Sequence, residues 1–256
     1  MMKVRVFRKT PGNESIFRTY DVEVRQGMTV LDALFQIHDR HDDSLSFRYS
    51  CRGAVCGSCA MMINKVPRLA CRTQIAGLIN EVPMKLAPSR SIVPTVSWDP
   101  ATEVLIEPLP NLPVIKDLIV NMDEFYAKYQ RIGPTLVADE TRQREPLMEP
   151  DKVRELERYT NCIMCAACYG ACPINAIDPD YLGPAALAKL YRFRIDPRDQ
   201  DESKRLDRAD EPHGWWACRF FSNCKKVCPR DVPPNIAIGK ARQELEERKK
   251  GTERRT

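Results

Sequence analysis

The sequence predicts two domains of different class, an α+β unit over residues 1–106 and an all-α unit over 107–256. Three observations predict it. Apolar residues alternate with polar ones early in the chain and recur at helical spacing later. Three prolines fall within Glu107–Pro113, which marks a boundary. The 11 cysteines sort into three spaced groups, one before that segment and two after it. A length of 256 residues fits two domains.

The α+β unit opens with Val4 and Val6 alternating with Lys3 and Arg5. Val22 and Val24 alternate with polar residues up to Gly27, so a hairpin of two half-buried strands is expected. Thr29 stands where an N-cap belongs, and Val30, Ala33, Leu34 and Ile37 follow at the spacing of an apolar helical face. These are read as core. His38 and His41 sit in the polar run His-Asp-Arg-His-Asp-Asp and are expected in solvent. The first cysteine group comes next, as Cys51-x4-Cys56-x2-Cys59-x11-Cys71. Its first three members have the plant-type ferredoxin spacing that holds a 2Fe-2S cluster on a loop, with Cys71 as the fourth ligand. Gly53 and Gly57 suit such a loop, because a residue without a side chain lets backbone N–H groups approach the cluster and accepts strained angles. Met61–Ile63 and Leu69–Ala70 read as strand pieces around it. Two hairpins, a helix and a cysteine loop together predict a β-grasp domain like that of plant-type 2Fe-2S ferredoxins.

Beyond the prolines the period turns helical. Leu118, Met122, Phe125, Tyr126 and Tyr129 fall on one face, and Val153, Leu156 and Tyr159 lead into the second cysteine group. Gly183-Pro184 starts another helix with proline in its first turn, running to Arg194. Cys162-x2-Cys165-x2-Cys168-x3-Cys172-Pro173 is the spacing that wraps a cubane iron-sulfur cluster. The third group, Cys218 to Cys228-Pro229, repeats that spacing with Phe221 in place of the second cysteine. In two-cluster bacterial ferredoxins the fourth cysteine of each run ligates the other run's cluster. Cys162, Cys165, Cys168 and Cys228 therefore form one set, and Cys172, Cys218 and Cys224 the other. Four thiolates hold a 4Fe-4S cube; three, with an apolar ring at the vacant corner, favour 3Fe-4S. The two runs must fold onto one another, so the domain is expected to be helical, with short loops around two clusters between which electrons can pass. The three groups consume every cysteine.

Other uses of these residues fit less well. Disulfides need an oxidising compartment, and the charged, alternating Met1–Lys9 contains no apolar signal core. Zinc could take C-x2-C pairs but explains neither the third cysteine of each run nor the paired Cys-Pro ends. A Rieske centre needs two histidines, and His38, His41 and His213 lie outside every cysteine motif. No stretch is long and apolar enough to span a bilayer. A net charge of +5, without a basic patch interleaved with aromatics, gives no reason to expect nucleic acid. No Gly-rich dinucleotide loop follows a strand. The basic tail Lys240–Thr256 reads either as a solvated, fraying helix or as a contact with an anionic membrane face or a partner. A compact cytoplasmic protein that does not itself span a membrane is expected.

Nearly the whole chain resembles the iron-sulfur subunit of succinate dehydrogenase and fumarate reductase, the respiratory complex II family. The matching text is Ser50-Cys-Arg-Gly-Ala-Val-Cys-Gly-Ser-Cys-Ala60, Leu69-Ala-Cys-Arg72, Pro108-Leu-Pro-Asn-Leu-Pro-Val-Ile-Lys-Asp-Leu118, Gly183-Pro-Ala-Ala186 and Cys228-Pro229. The short gap before Cys71 is itself diagnostic, since plant-type ferredoxins place their last cysteine much farther away. The resemblance implies a relay in which a partner flavoprotein oxidises succinate or reduces fumarate at FAD. Electrons then run through 2Fe-2S, 4Fe-4S and 3Fe-4S clusters to a quinone in one or more membrane-anchor subunits, with or without haem b. The chain would be the wire, without a substrate pocket of its own.

Two departures are visible. The segment Val82–Trp98, rich in proline and serine, is longer than in short relatives and reads as plain loop, extended hairpin or partner contact. After Cys172, Ile174-Asn175-Ala176-Ile177 stands where ubiquinone-linked relatives carry a tryptophan pair, which points to menaquinone. For the quinone the resemblance implies residues flanking the 3Fe-4S ligands: Pro173, Trp215, Trp216 and Arg219, with His213 as a weaker candidate. The alternative is that the two tryptophans pack, one inward and one against an anchor subunit. Two other functions share the scaffold. One is a relay to a thiol or heterodisulfide site, whose usual Cys-Cys-Gly modules do not occur here. The other is a free-standing multi-cluster carrier.

Overall fold

The computed structural model describes residues 1–82, 84–88, 96–141 and 143–253. Strands β1 (Met2–Arg8) and β2 (Ile16–Val22) form the expected antiparallel hairpin, with Val4, Val6 and Val22 fully buried. Val24 lies just past β2 and is half-buried. Strands β3 (Ala60–Ile63) and β4 (Val66–Leu69) form a second hairpin whose two turn residues, Asn64 and Lys65, both have positive φ. That is the type of turn whose twist matches the strands. Strand β5 (Glu103–Glu107) runs between the hairpins, parallel to β1 and antiparallel to β3, giving the order β2-β1-β5-β3-β4. Ala70 falls just outside β4.

Helix α1 (Val30–Arg40) closes this sheet. Thr29 accepts from the Asp32 N–H at 3.2 Å while its own N–H donates to the Asp32 carboxylate at 2.9 Å, a complete capping box. The buried face Val30, Leu31, Ala33, Leu34 and Ile37 packs with Val4, Val6, Val22, Met61, Ile63, Val104 and Ile106 in one core. Each fully buried branched side chain there contributes roughly 1.5–3 kcal/mol relative to exposure. His38 and His41 are on the solvent side, as expected.

After the proline segment the structure differs from the sequence reading. A small hairpin, β6 (Val114–Lys116) with β7 (Ile119–Val120), comes before any helix. Leu118 lies in its turn and packs into the first domain's core, so it is not on a helical face. Helix α2 (Asp123–Arg131) follows and buries Phe125, while Tyr126 is exposed. Helix α3 (Pro150–Thr160) buries Leu156 and Tyr159 but leaves Val153 exposed. Helices α4 (Ala167–Gly170) and α7 (Asn223–Lys226) are single turns inside the cysteine runs. Helix α5 (Pro184–Arg194) is buried nearly all round, the pattern of a central helix. Short helix α6 (Glu202–Arg205) precedes the third cysteine group.

Helix α8 (Pro234–Glu253) corrects the reading of the tail. It packs on α5 through buried Ala237, Ala241 and Leu245. Lys240 pairs with Glu155, and Arg242 donates to the carbonyls of Trp215 and Cys218 at 2.7 and 2.8 Å. The first half of the tail is therefore anchored, not fraying; Arg254, Arg255 and Thr256 lie outside the described residues. Residues 83 and 89–95 of the long segment Val82–Trp98 also lie outside them, and its described part contains no strand. Residues 84–88 lie against the helical domain. Ala87 exchanges hydrogen bonds with the buried Asn223 amide, both at 2.9 Å, and the Lys85 carbonyl accepts from Lys226.

Arg8 is the electrostatic hub of the first domain. It is 7% exposed and binds Asp117 at 3.0 Å, Tyr20 at 2.7 Å, Ser44 at 2.8 Å and Asp42. Burial opposes ionisation of Asp42, but hydrogen bonds from Ser44, Tyr20 and Arg8 outweigh it and hold the carboxyl well below its usual range. A depressed carboxyl stabilises the fold above its unfolded-state pKa and loses that contribution as pH falls. Asp42→Asn is expected to destabilise the protein by about 2 kcal/mol near neutral pH. It should also flatten the loss of stability between about pH 5 and pH 3. Urea unfolding across that range checks this; an unchanged acid limb would remove Asp42 from the role.

Candidate metal centres

Cys51, Cys56 and Cys59 lie on an irregular loop before β3, and Cys71 lies just past β4. Cys51 and Cys56 are exposed, Cys71 is half-buried and Cys59 is buried. Arg52, Ala54 and Gly57 all have positive φ, and the turns they make bring backbone donors onto sulfur. The N–H groups of Gly53, Val55 and Cys56 approach Cys51 Sγ at 3.4, 3.3 and 3.3 Å, and Cys71 N–H approaches Cys59 Sγ at 3.5 Å. Such a nest of amides suits an anionic cluster. The left-handed conformation costs an ordinary residue roughly 1–2 kcal/mol, and strain of this kind concentrates at functional sites. Hydrogen bonds from Ser58 and from the Cys51 backbone bring the Cys56 thiol down to about 6, whereas burial pushes the Cys59 thiol up to about 12.

The other two runs share one backbone shape. Met164 and Ala166 have φ of 54° and 60°, and their counterparts Phe220 and Ser222 have 55° and 61°. Each loop then enters a one-turn helix, α4 or α7. Phe221 occupies the place of Cys165 and is 46% exposed. The structure brings the two runs together. Cys228 lies within electrostatic reach of Cys162 and Cys165, and Cys172 within reach of Cys218 and Cys224. One cavity is lined by Cys162, Cys165, Cys168 and Cys228 together with Ala185 and Ala188 of α5. Backbone donors again meet sulfur, Val232 N–H at Cys228 and Phe220 N–H at Cys218, 3.3 and 3.4 Å. Burial pushes the thiols of Cys165 and Cys172 up to about 11 and that of Cys224 up to about 12. Soft sulfur donors gathered in sets of four, four and three, with amides aimed at them and apolar walls around them, fit iron-sulfur clusters. All 11 cysteines are free thiols.

Gly57 joins the two domains. A Cβ there would lie 2.8 Å from Cys165 Cβ and 3.0 Å from the Ile163 carbonyl. The 2Fe-2S loop is thus pressed directly on the first cubane run. Cys168 in turn lies within electrostatic reach of Cys224 in the tri-thiolate set. Asn111 fixes the same junction from the proline segment, donating to the carbonyls of Tyr169, Gly170 and Cys172 at 3.1, 3.0 and 3.1 Å.

The residues expected to meet a quinone are not equivalent. Trp215 is fully buried and its indole N–H donates to the Leu206 carbonyl at 2.8 Å, so it offers no free donor at a surface cleft, the inward packing named as the alternative for one of the two tryptophans. Pro173 is buried as well. Trp216 is half-buried, donates to Asp210 at 2.6 Å and stacks against Arg242 and Lys249. Arg219 is exposed and donates to the Trp216 carbonyl. His213 is exposed and its pKa is raised by a hydrogen bond to Asp178 at 2.9 Å. Sequence reasoning missed three contributors: Arg242 under the third group, Asn223 between the runs, and the buried Tyr181 beside Cys172, Cys218 and Cys224.

A β-grasp domain with three thiols on one loop and a fourth just past β4, joined to a helical domain with two adjoining cysteine runs, defines a multi-cluster iron-sulfur protein. Residues 3–127 match the family described as 2Fe-2S iron-sulfur cluster binding domain, and residues 158–232 match the 4Fe-4S dicluster domain. The chain is 36% identical to the fumarate reductase iron-sulfur subunit of Mycobacterium tuberculosis, over 93% of this chain and 89% of that one. It is 38% identical to the succinate dehydrogenase iron-sulfur subunit of Coxiella burnetii, over 88% and 87%. Its fold matches a chain of the Mycobacterium smegmatis Sdh1 complex in the apo form, with a TM-score of 0.80, 23% identity and coverage of 97% and 96%. The chain belongs to the iron-sulfur subunits of succinate dehydrogenase and fumarate reductase, and carries their 2Fe-2S and 4Fe-4S domains.

Gly57→Ala tests the junction. The added methyl meets backbone and Cβ rather than a flexible tip, so one loop must shift. The variant is expected to keep its iron while losing at least tenfold in the rate of electron passage from the first domain to the second. Freeze-quench EPR of the purified complex checks this, and an unchanged rate would show that the contact does not set the path.

Proposed function

We propose that this chain relays electrons between a FAD-containing succinate or fumarate subunit and a membrane quinone, with menaquinone indicated by Ile174-Asn175-Ala176-Ile177. Cys51, Cys56, Cys59 and Cys71 would hold the 2Fe-2S cluster, Cys162, Cys165, Cys168 and Cys228 the 4Fe-4S cluster, and Cys172, Cys218 and Cys224 a 3Fe-4S cluster. When bound, these clusters each accept and release single electrons. The observation that carries the reading is continuity: the exposed first loop abuts Cys165 through Gly57, and Cys168 lies within reach of Cys224.

The chain's own residues have defined tasks in this reading. Backbone amides of residues 53–56, 220 and 232 stabilise the negative charge on sulfur. Asn111, Asn223 and Arg242 fix the carbonyls next to the ligands, so the spacing of the sets does not drift. The exposed Cys51–Cys56 loop is the face for the flavoprotein. Trp216 and Arg219 flank the tri-thiolate set and are the quinone and membrane-anchor candidates that keep surface access. No helix among the described residues is long and apolar enough to cross a membrane, which accords with peripheral attachment through partners at the cytoplasmic face. The division after residue 106 belongs to this reading, with β5 ending the first sheet at Glu107.

The cluster inventory is tested by iron analysis, expected to give about nine irons per chain and an EPR signal of an oxidised 3Fe-4S cluster that reduction removes. Phe221→Cys restores the second cysteine on a loop whose backbone already matches that of Cys165. It is expected to replace the 3Fe-4S signal with a second 4Fe-4S cluster of lower potential, because another thiolate adds negative charge. A variant that keeps the wild-type signal would refute the role given to position 221.

The quinone end is tested separately. Trp216→Leu or Arg219→Gln is expected to raise the quinone concentration needed for half-maximal rate at least threefold. Succinate oxidation with an artificial dye that takes electrons upstream should change little. Parallel loss of both activities would make these residues structural.

A further inference from the structure

Ala185, Ala188, Lys189 and Arg192 recur at the three-four spacing of one face of α5. The two alanines line the cavity that Cys162, Cys165, Cys168 and Cys228 share, so the two cations stand on the stripe of the helix that turns toward this ligand set. Tyr159, at the end of α3, meets Tyr191 edge-on with ring centres 5.5 Å apart, which holds the chain entering Cys162 against the same part of α5. The two cations differ in how they are balanced. Arg192 is paired with Asp196 at 3.0 Å. Lys189 is half-buried, pairs with no carboxylate among the described residues, and has the Cys162 sulfur as the negative group within its electrostatic reach. Burial pushes the Lys189 pKa down, the charge on Cys162 opposes this, and Arg192 adds to it.

A half-buried ammonium without a carboxylate is unfavourable unless another negative group offsets its lost hydration. With Cys162, Cys165, Cys168 and Cys228 taken as the 4Fe-4S ligands, on which this role rests, that group is a cluster whose negative charge grows by one on reduction. Attraction between opposite charges is mutual, so a cation held by the ligand set also favours the state with more negative charge. We propose that Lys189 tunes the four-thiolate cluster, its ammonium raising the reduction potential above the value that the ligands alone would set. The cluster takes one electron from its neighbour in the relay, no bond forms or breaks, and Lys189 keeps its proton throughout. The tri-thiolate set has a cation of another kind. Arg242 lies within reach of Cys218 but is tied to the carbonyls of Trp215 and Cys218, so its loss would disturb the scaffold. Lys189 donates no hydrogen bond to any described group, so its charge can be removed alone.

The test is an EPR-monitored redox titration of the purified complex carrying Lys189→Met, which keeps the stem and removes the charge. The 4Fe-4S midpoint is expected to fall by at least threefold in the reduction equilibrium, about 28 mV at about 59 mV per tenfold for a one-electron couple. The 2Fe-2S midpoint, set by ligands in the other domain, should not move with it. Lys189→Arg should recover at least half of the shift, and Lys250→Met, which removes an exposed charge near the end of α8, should cause none. Iron content and the 2Fe-2S spectrum establish that each variant is folded and loaded. An unshifted midpoint in Lys189→Met, an equal shift in Lys250→Met, or no recovery in Lys189→Arg would overturn the tuning role. Loss of the cluster in both Lys189→Met and Lys189→Gln would make the residue structural and overturn it too. A wild type without a 4Fe-4S signal would instead sink the cluster assignment itself, whereas a normal wild-type signal indifferent to Lys189 sinks the tuning role alone.

Discussion

A hydrogen atom at Gly57 keeps the two domains in contact. Any Cβ at that position would collide with Cys165, a ligand-type cysteine of the other domain, so the separation between the first two thiolate sets is fixed by what this residue lacks. Much of the surrounding structure serves that contact. The Arg8 hub ties β1 to Asp42, Ser44 and Asp117, and so holds both the chain entering the cysteine loop and the hairpin that leaves the proline segment. Asn111 and Asn223 then hold the cubane runs from two sides, through carbonyls adjacent to Cys172. These are multiple, buried, short-range bonds. They anchor the segments that carry the cysteines, whereas an isolated surface ion pair contributes little.

The two cubane runs show how a repeat diverges without losing its shape. Paired left-handed residues at 164 and 166, and at 220 and 222, strain four non-glycine positions in the same way. The strain is retained in the second run even though Phe221 has replaced the cysteine that the loop geometry would present. Its backbone therefore still serves the remaining ligands, and the change is confined to one side chain. The exposure of Phe220 and Phe221, at 44% and 46%, places apolar surface beside the tri-thiolate set. Arg242 lies 4.9 Å from the Phe220 ring while its donors hold the carbonyls of Trp215 and Cys218, so packing and hydrogen bonding act on one segment.

Features set by local chemistry were legible in the sequence. The Thr29 cap, the alternation of β1 and the proline start of α5 depend on neighbours within one or two turns, and each appears as read. The spacing also marks the two runs as neighbours, because cysteine spacing reports a ligand geometry, and the structure places Cys228 beside Cys162, Cys165 and Cys168. What was not legible depends on distant partners. Leu118 has the period of a helical face, but the prolines before it and the positive φ of Asp117 set a hairpin instead, and the first domain's core takes the leucine. Trp215 and Trp216 are adjacent and chemically identical, yet one is fully buried and the other half-exposed, since successive residues of a 3-10 turn point in different directions. Arg242 looked like one charge of a basic tail. The small residues Ala237 and Ala241 four apart were the available signal that this part of the tail packs.

Burial also grades the thiols along the path. Cys51 and Cys56 are exposed, and hydrogen bonding favours the ionised form of Cys56. Farther in, desolvation raises Cys165, Cys172 and Cys224, so those sulfurs are poor thiolates until a cation joins them. The apolar surroundings that make a free thiolate unfavourable also exclude water from an iron-sulfur cluster once it is held, and solvent exposure is one of the variables that set its potential. The gradient runs from an exposed cysteine loop to enclosed cysteine sets shielded from solvent, an arrangement that suits the proposed relay.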